Sequence, residues 1–176
     1  MKRIMIIGCC GAGKSTLSRK LHQQTQLPLI HLDQYYWKDG WVESEKEEWE
    51  ASVTALAAKD QWIIDGNYNG TVDIRLKRAD TIVFMDYPTI ICLWRVILRI
   101  LKNYGRARAD MQKGCPERFS LSFLLFVLHF RRDRRPTLLK KMDKWKDQKQ
   151  LIILQNDAAV SHFLDTLPLN NKQPQK

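Results

Sequence analysis

Short runs of consecutive apolar residues recur along the chain, separated by longer stretches whose apolar positions lie three and four apart. Residues 4–7, 29–32, 62–64, 81–85 and 151–154 are of the first kind. Each is too short for a stable helix and apolar at successive positions, as in parallel strands buried on both faces. The stretches between them read as helices. Residues 14–24 place Leu17 and Leu21 on one face, and residues 44–58 do the same with Trp49, Val53, Leu56 and Ala57. Ser44 stands at the capping position of that second helix, with Glu47 three residues on. Residues 90–101 form an amphipathic helix with Arg95 and Arg99 one turn apart. Residues 103–118 carry Gly, Pro and charges without a period and read as a loop or lid. An apolar helix over 119–130, a basic cluster over 131–135, a helix from Pro136 to about Lys149 and a last helix over 157–167 complete the chain. The polar tail, 168–176, is expected to fray.

Strands alternating with helices predict an α/β fold: one domain over residues 1–167, with a five-stranded parallel sheet flanked by helices in three layers and a basic helical lid near 103–135. Three of the strands run into an aspartate, Asp33, Asp65 and Asp86. Ligands of open α/β sheets sit at the carboxyl ends of the strands, so these aspartates mark the expected site.

The length of 176 residues suits one domain with a core of its own. Charge adds more. The net charge is +10, and residues 95–149 hold 16 Lys/Arg against 5 Asp/Glu, while the remainder is balanced. An anion is the expected partner of that stretch, with phosphate the first candidate. The four cysteines form no C-x-x-C pair and no Cys/His cluster, which argues against zinc and for reduced thiols in the cytoplasm. The apolar run at the N-terminus is too short for a signal peptide, and no run is long enough to span a bilayer.

Residues 8–15, Gly-Cys-Cys-Gly-Ala-Gly-Lys-Ser, match G-x-x-x-x-G-K-[ST] in full. Ordinary residue usage gives such a match at roughly one position in 10⁴ to 10⁵, and here a strand precedes it and a helix follows. The glycines at 8, 11 and 13 let the backbone turn its N–H groups into one concavity. Ala12 and Thr16 complete the cradle. Lys14 reaches the β- and γ-phosphates, Ser15 offers a hydroxyl to Mg²⁺, and the helix N-terminus faces the anion. ATP with Mg²⁺ is the expected ligand. Cys9 and Cys10 read as small residues filling a tight loop.

This loop, the strand end Trp62-Ile-Ile-Asp-Gly-Asn-Tyr68 and the Arg95-x-x-x-Arg99 helix resemble the adenylate-kinase-like group of P-loop kinases. More narrowly, Leu32-Asp33-x-x-Tyr36-Trp37, Asp65-Gly66-Asn67-Tyr68 and Arg108-x-Asp110 with Gly114-Cys-Pro-Glu117 resemble the bacterial DNA topology modulation proteins. The resemblance implies that Asp65 holds Mg²⁺ through water, that Arg95 and Arg99 contact the ATP phosphates and the transferred group, and that an arginine among 131–135, with Arg132 assigned the role, closes over them. It places Asn156 beside the adenine. Adenylate kinases carry a small hydroxyl residue and a downstream arginine near the second strand; this chain carries Asp33. A carboxylate there suits an alcohol acceptor, which must give up a proton, better than an ionised phosphate. Arg75 reads as a phosphate ligand or as a partner of Asp73 or Asp80, and Asp86 as a second metal aid or a turn cap.

The expected activity is transfer of the ATP γ-phosphoryl to a small acceptor, with Lys14, Asp33, Arg99 and Arg132 in the chemistry. The alternative, on the same basic segment, is a nucleotide-dependent DNA-binding protein, although no nucleic-acid reading motif is visible. The apolar 119–130 helix leaves monomer and homodimer both open.

Overall fold

A computed structural model describes residues 1–167; the predicted tail lies outside the described residues. The five apolar runs are β1 (Arg3–Gly8), β2 (Leu29–His31), β5 (Trp62–Asp65), β6 (Thr81–Met85) and β7 (Gln150–Leu154). They form one sheet in the order β2-β5-β1-β6-β7, and every pairing is parallel. Central β1 is buried on both faces, with Ile4, Met5, Ile6 and Ile7 closed to solvent. Consecutive apolar residues are needed only where both faces are covered, so the pattern and the position agree.

Helix α1 (Lys14–Thr25) packs over β1, β2 and β5 with Leu17 and Leu21 inward. Helix α3 (Lys46–Ala58) buries Trp49, Val53, Leu56 and Ala57, the face the spacing predicts. Helices α5 (Thr89–Asn103), α6 (Leu121–Asp133) and α7 (Arg135–Asp143) pack in succession, and α8 (Asp157–Asp165) closes the chain against α1 and β7. The chain therefore forms the predicted α/β sheet flanked by helices.

Four local expectations need correction. Ser44 does not cap α3: its hydroxyl donates to the Tyr36 carbonyl at 2.7 Å, and Glu45 takes the N-cap position. That bond secures a short hairpin, β3 (Trp37–Lys38) with β4 (Val42–Glu43), preceded by one helical turn, α2 (Asp33–Tyr36). The helix opened at Pro136 stops at Asp143, where Trp145 N–H donates to the Met142 carbonyl and the chain turns. Helix α4 (Val72–Arg78) fills a stretch in which no element was expected. The apolar helix begins at Leu121 rather than residue 119, because the Ser120 hydroxyl accepts from Phe123 N–H and caps it.

Among the described residues, no helix is long and apolar enough to cross a membrane.

Candidate active site

β1 lies at the switch point of the sheet: the chain leaves it toward β2 on one side and reaches β6 on the other. The crevice there is filled by residues 8–15. Gly8, Gly11 and Gly13 have φ of 143°, 85° and 98°, a region open to glycine and strained for other residues. A Cβ on Gly11 would stand 2.2 Å from the Cys92 carbonyl oxygen of α5, so the loop rests directly on that helix. The Cys9 and Cys92 thiols lie side by side at the same contact, and hydrogen bonding to Cys92, with burial, pushes Cys9 up. Gly13 is the left-handed N-cap of α1, and no side chain among the described residues caps that helix. Its first N–H groups thus present the positive end of the helix to the loop. Lys14 folds over the loop, Nζ donating to the carbonyls of Gly8 (2.9 Å) and Cys9 (3.1 Å).

Asn67 holds the loop from the other side. The register of β1 with β5 ends at Ile6 and Asp65. Two residues on, the Asn67 carboxamide replaces the missing backbone rung: Gly8 N–H donates to Oδ1 at 3.0 Å, and Nδ2 donates to the Gly8 carbonyl at 2.8 Å. Arg75, from α4, is fully buried beneath this segment. Its guanidinium donates to the carbonyls of Gly66, Asn67 and Tyr68. It pairs with neither Asp73, which takes Lys141, nor Asp80, which accepts from Lys2 and Arg3 amides.

The strand-end aspartates separate into different surroundings. Asp65 is buried, accepting from Ser18 Oγ at 2.7 Å and bonded to His31 Nδ1 at 3.0 Å. Burial alone would push His31 down, but bonding to and charge from Asp65 outweigh it and raise the imidazolium. Asp33 accepts from the Tyr68 hydroxyl and feels the charges of Lys14 and Asp65. Burial raises it above the usual carboxylate range despite the Tyr68 bond and the cations. Asp86 belongs elsewhere: Arg135 grips it with two bonds of 2.8 and 2.7 Å.

The 103–118 loop is docked. Asp110 lies beside the Ser15 hydroxyl. Burial would raise Asp110, but Arg108, Ser15 and its own backbone N–H hold it below the usual range. Arg108 bridges Asp110 and Glu117, both at 2.9 Å, and Glu117 also accepts from Arg99 at 3.0 Å. Opposite, the loop clasps the hairpin: Gly40 N–H donates to the Gly114 carbonyl at 2.9 Å, Trp41 Nε1 to the Pro116 carbonyl at 3.0 Å, and the Cys115 thiol to the Lys38 carbonyl at 3.3 Å. A chain of alternating charge thus runs from α5 through the lid to Ser15. Trp37 and Trp41 pack edge to face with each other, and the Arg118 guanidinium covers the Trp41 ring.

Of the remaining predicted residues, Arg95 pairs with Asp157 at 2.7 Å, and the adjacent Asn156 caps α8 by accepting from Ala159 N–H at 2.8 Å. Arg132 does not reach the loop: it is exposed and pairs with its neighbour Asp133. Arg108, Asp110 and Asn67 had signalled only family resemblance, through Arg108-x-Asp110 and Asp65-Gly-Asn-Tyr68; their contacts with Ser15 and Gly8 exist only in the tertiary fold.

The donor set suits magnesium bound with a triphosphate. Among the described residues no three His, Cys, Asp or Glu side chains converge as a metal cage. An ion there would rest on the Ser15 hydroxyl, phosphate oxygens and water, with Asp65 behind through Ser18, an arrangement ordinary for Mg²⁺. When bound, it would neutralise charge on the β- and γ-phosphates.

A five-stranded parallel sheet with a G-x-x-x-x-G-K-S loop after its central strand is a P-loop nucleotide-binding fold, kinase-like in form. No known family model matches the chain. It is 33% identical over 108 residues to the uncharacterized protein YqaC of Bacillus subtilis strain 168, a match covering 59% of this chain and 60% of that protein. In structure it resembles shikimate kinase from Acinetobacter baumannii in complex with shikimate, with a TM-score of 0.59 and 18% identity over 94% of this chain and 89% of that one. It also resembles a putative kinase from Chloroflexus aurantiacus, with a TM-score of 0.51 and 16% identity over 94% and 97% of the two chains.

Proposed function

We propose that the protein is a P-loop kinase that transfers the γ-phosphoryl of MgATP to the hydroxyl of a small alcohol. The observation that carries this reading is Asp33. It stands next to the P-loop lysine's charge, has a raised pKa, and is aimed by Tyr68. In the transfer, the acceptor oxygen forms a bond to the γ-phosphorus while the bond to the β–γ bridging oxygen breaks, and ADP leaves. The acceptor's proton passes to Asp33. Tyr68 occupies Oδ1, so Oδ2 is the oxygen that takes it. Lys14 and the loop amides stabilise charge on the transferring group. Arg99 on α5 and Arg108 in the docked loop share Glu117, and exchange of Glu117 for phosphate oxygens would bring both guanidiniums onto the nucleotide. The solved structures it resembles include an enzyme named for a hydroxyl-bearing acceptor, shikimate.

DNA binding receives less support. Arg95, Arg99, Arg108, Arg132 and Arg135, five of the nine arginines of the basic segment, face carboxylates of the chain itself.

The test is ADP release with MgATP against a panel of sugars, polyols, hydroxy acids and nucleosides. At least one alcohol should stimulate release. With that acceptor, Asp33→Asn should lower kcat by about 100-fold or more while leaving ATP affinity within about threefold. The acid limb of the wild-type kcat/KM profile should lie above the ordinary carboxylate range, because activity requires ionised Asp33 and its pKa is raised. Full activity in Asp33→Asn would refute the base assignment.

The docked lid gives a second prediction. Asp110→Asn removes the charge beside Ser15 and one of the two carboxylate partners of Arg108. The KM for MgATP should change by about tenfold or more, consistent with losing a buried charged contact. An unchanged KM would separate Asp110 from the nucleotide site.

A further inference from the structure

Helix α5 has two unlike sides. Cys92, Val96 and Ile100 are buried, and the Cys92 carbonyl supports the P-loop at Gly11. On the outer side Ile90, Ile91, Trp94, Leu98 and Leu101 are all exposed, Ile90 by 71%, Trp94 by 60% and Leu101 by 72%. At about 100° per residue these five fall within one arc of about 100° spanning three turns. Arg95 and Arg99 point away from the arc, toward Asp157 and Glu117. The patch amounts to roughly 500 Å² of apolar surface, at the upper end of what a monomer leaves uncovered.

We propose that this face joins two copies of the chain, α5 against α5 in antiparallel sense about a two-fold axis. Area favours it: two such stripes bury on the order of 1,000 Å², about the threshold for a specific interface before any flanking contact is added. Spacing favours it too. Read in reverse, the stripe nearly repeats itself, so an antiparallel crossing brings Ile90 of one copy to Leu101 of the other and each Trp94 to the opposite Leu98. A two-fold interface requires this self-complementarity. Charge does not oppose the contact despite the net +10, because no Lys or Arg interrupts the stripe. A membrane surface fits less well. An interfacial helix needs several free cations beside its apolar face to meet anionic lipid; on α5 both arginines are engaged within the fold, and Lys102 alone is exposed beside the stripe.

Sedimentation equilibrium of the full chain from about 1 to about 100 µM tests the proposal, a range that captures micromolar dimers. The wild type should reach dimer mass. Trp94→Glu and Leu98→Glu, both at exposed positions, should weaken association at least tenfold while retaining the wild-type circular dichroism spectrum and ATP binding. Monomer mass for the wild type at the highest concentration would overturn the proposal, as would dimers unchanged in both variants. Flotation with phosphatidylcholine/phosphatidylglycerol vesicles is the companion measurement. A monomeric wild type that floats, and loses flotation in Trp94→Glu, would assign the face to lipid instead. Retained ATP binding in the variants keeps this test separate from the P-loop reading.

Discussion

Lys14→Ala should abolish phosphoryl transfer and leave the fold standing. The side chain is half-buried, and its ammonium bonds only to the carbonyls of Gly8 and Cys9. Both bonds are only part-buried, and the Gly8 carbonyl keeps its bond from Asn67. The stability change should therefore stay within about 1 kcal/mol. Function depends on the same ammonium differently. It is the mobile positive charge of the loop, and a triphosphate in the crevice would draw it off the carbonyls. Removing one such group from a preorganised, partly dry site costs about 10²–10³ in rate. Calorimetry should show MgATP binding weakened at least tenfold, and ADP release with the best acceptor should fall to background. Wild-type turnover in a folded Lys14→Ala variant would end the kinase reading.

The features that were legible before the structure are those whose physics is local. A strand buried on both faces shows as three or four consecutive apolar residues, and 4–7, 62–64 and 82–85 are such runs. The P-loop is one contiguous octapeptide whose glycines, lysine and serine each have a chemical reason. The hairpin at 37–43 was hidden because each strand has two residues, too few for any period. Seven-residue α4 was hidden likewise. The arginines of 95–135 were counted as free positive charge. Their partners, Asp157, Glu117 and Asp86, are 62, 18 and 49 residues away in sequence, and only tertiary packing brings them together. Arg132 was assigned to the phosphates on its place in a cluster, yet its helix turns it to solvent beside Asp133. Asp33 is a candidate on chemistry alone, and in the structure burial raises it while the Tyr68 hydroxyl donates to it.

Arg75 departs furthest from what its residue type suggests, and it carries the largest stability effect. It is closed to solvent with no carboxylate partner among the described residues, and burial drives its guanidinium down to about 9. A buried cation is costly by itself. Here it is retained because three carbonyls in a row, at 66, 67 and 68, point inward with no strand to pair them. Two contributions oppose each other in Arg75→Met. Removing the cation relieves the desolvation cost, while three carbonyls lose charged donors, each bond worth about 1.5–3 kcal/mol. The Gly66 bond is buried and the Asn67 and Tyr68 bonds are partly so, so the second contribution should win by about 2–4 kcal/mol. For a chain of this size that lowers the melting temperature by roughly 5–15 °C. The loss should also reach the site, since the same three residues position Asn67 on Gly8 and Tyr68 on Asp33. Arg75→Met that still folds should therefore bind MgATP more weakly and lose kcat as well. Arg75→Lys, which keeps the charge but cannot span three carbonyls, should fall between the two. Equal melting temperatures and equal ATP affinity for wild type and Arg75→Met would show that the 66–68 turn holds without its guanidinium.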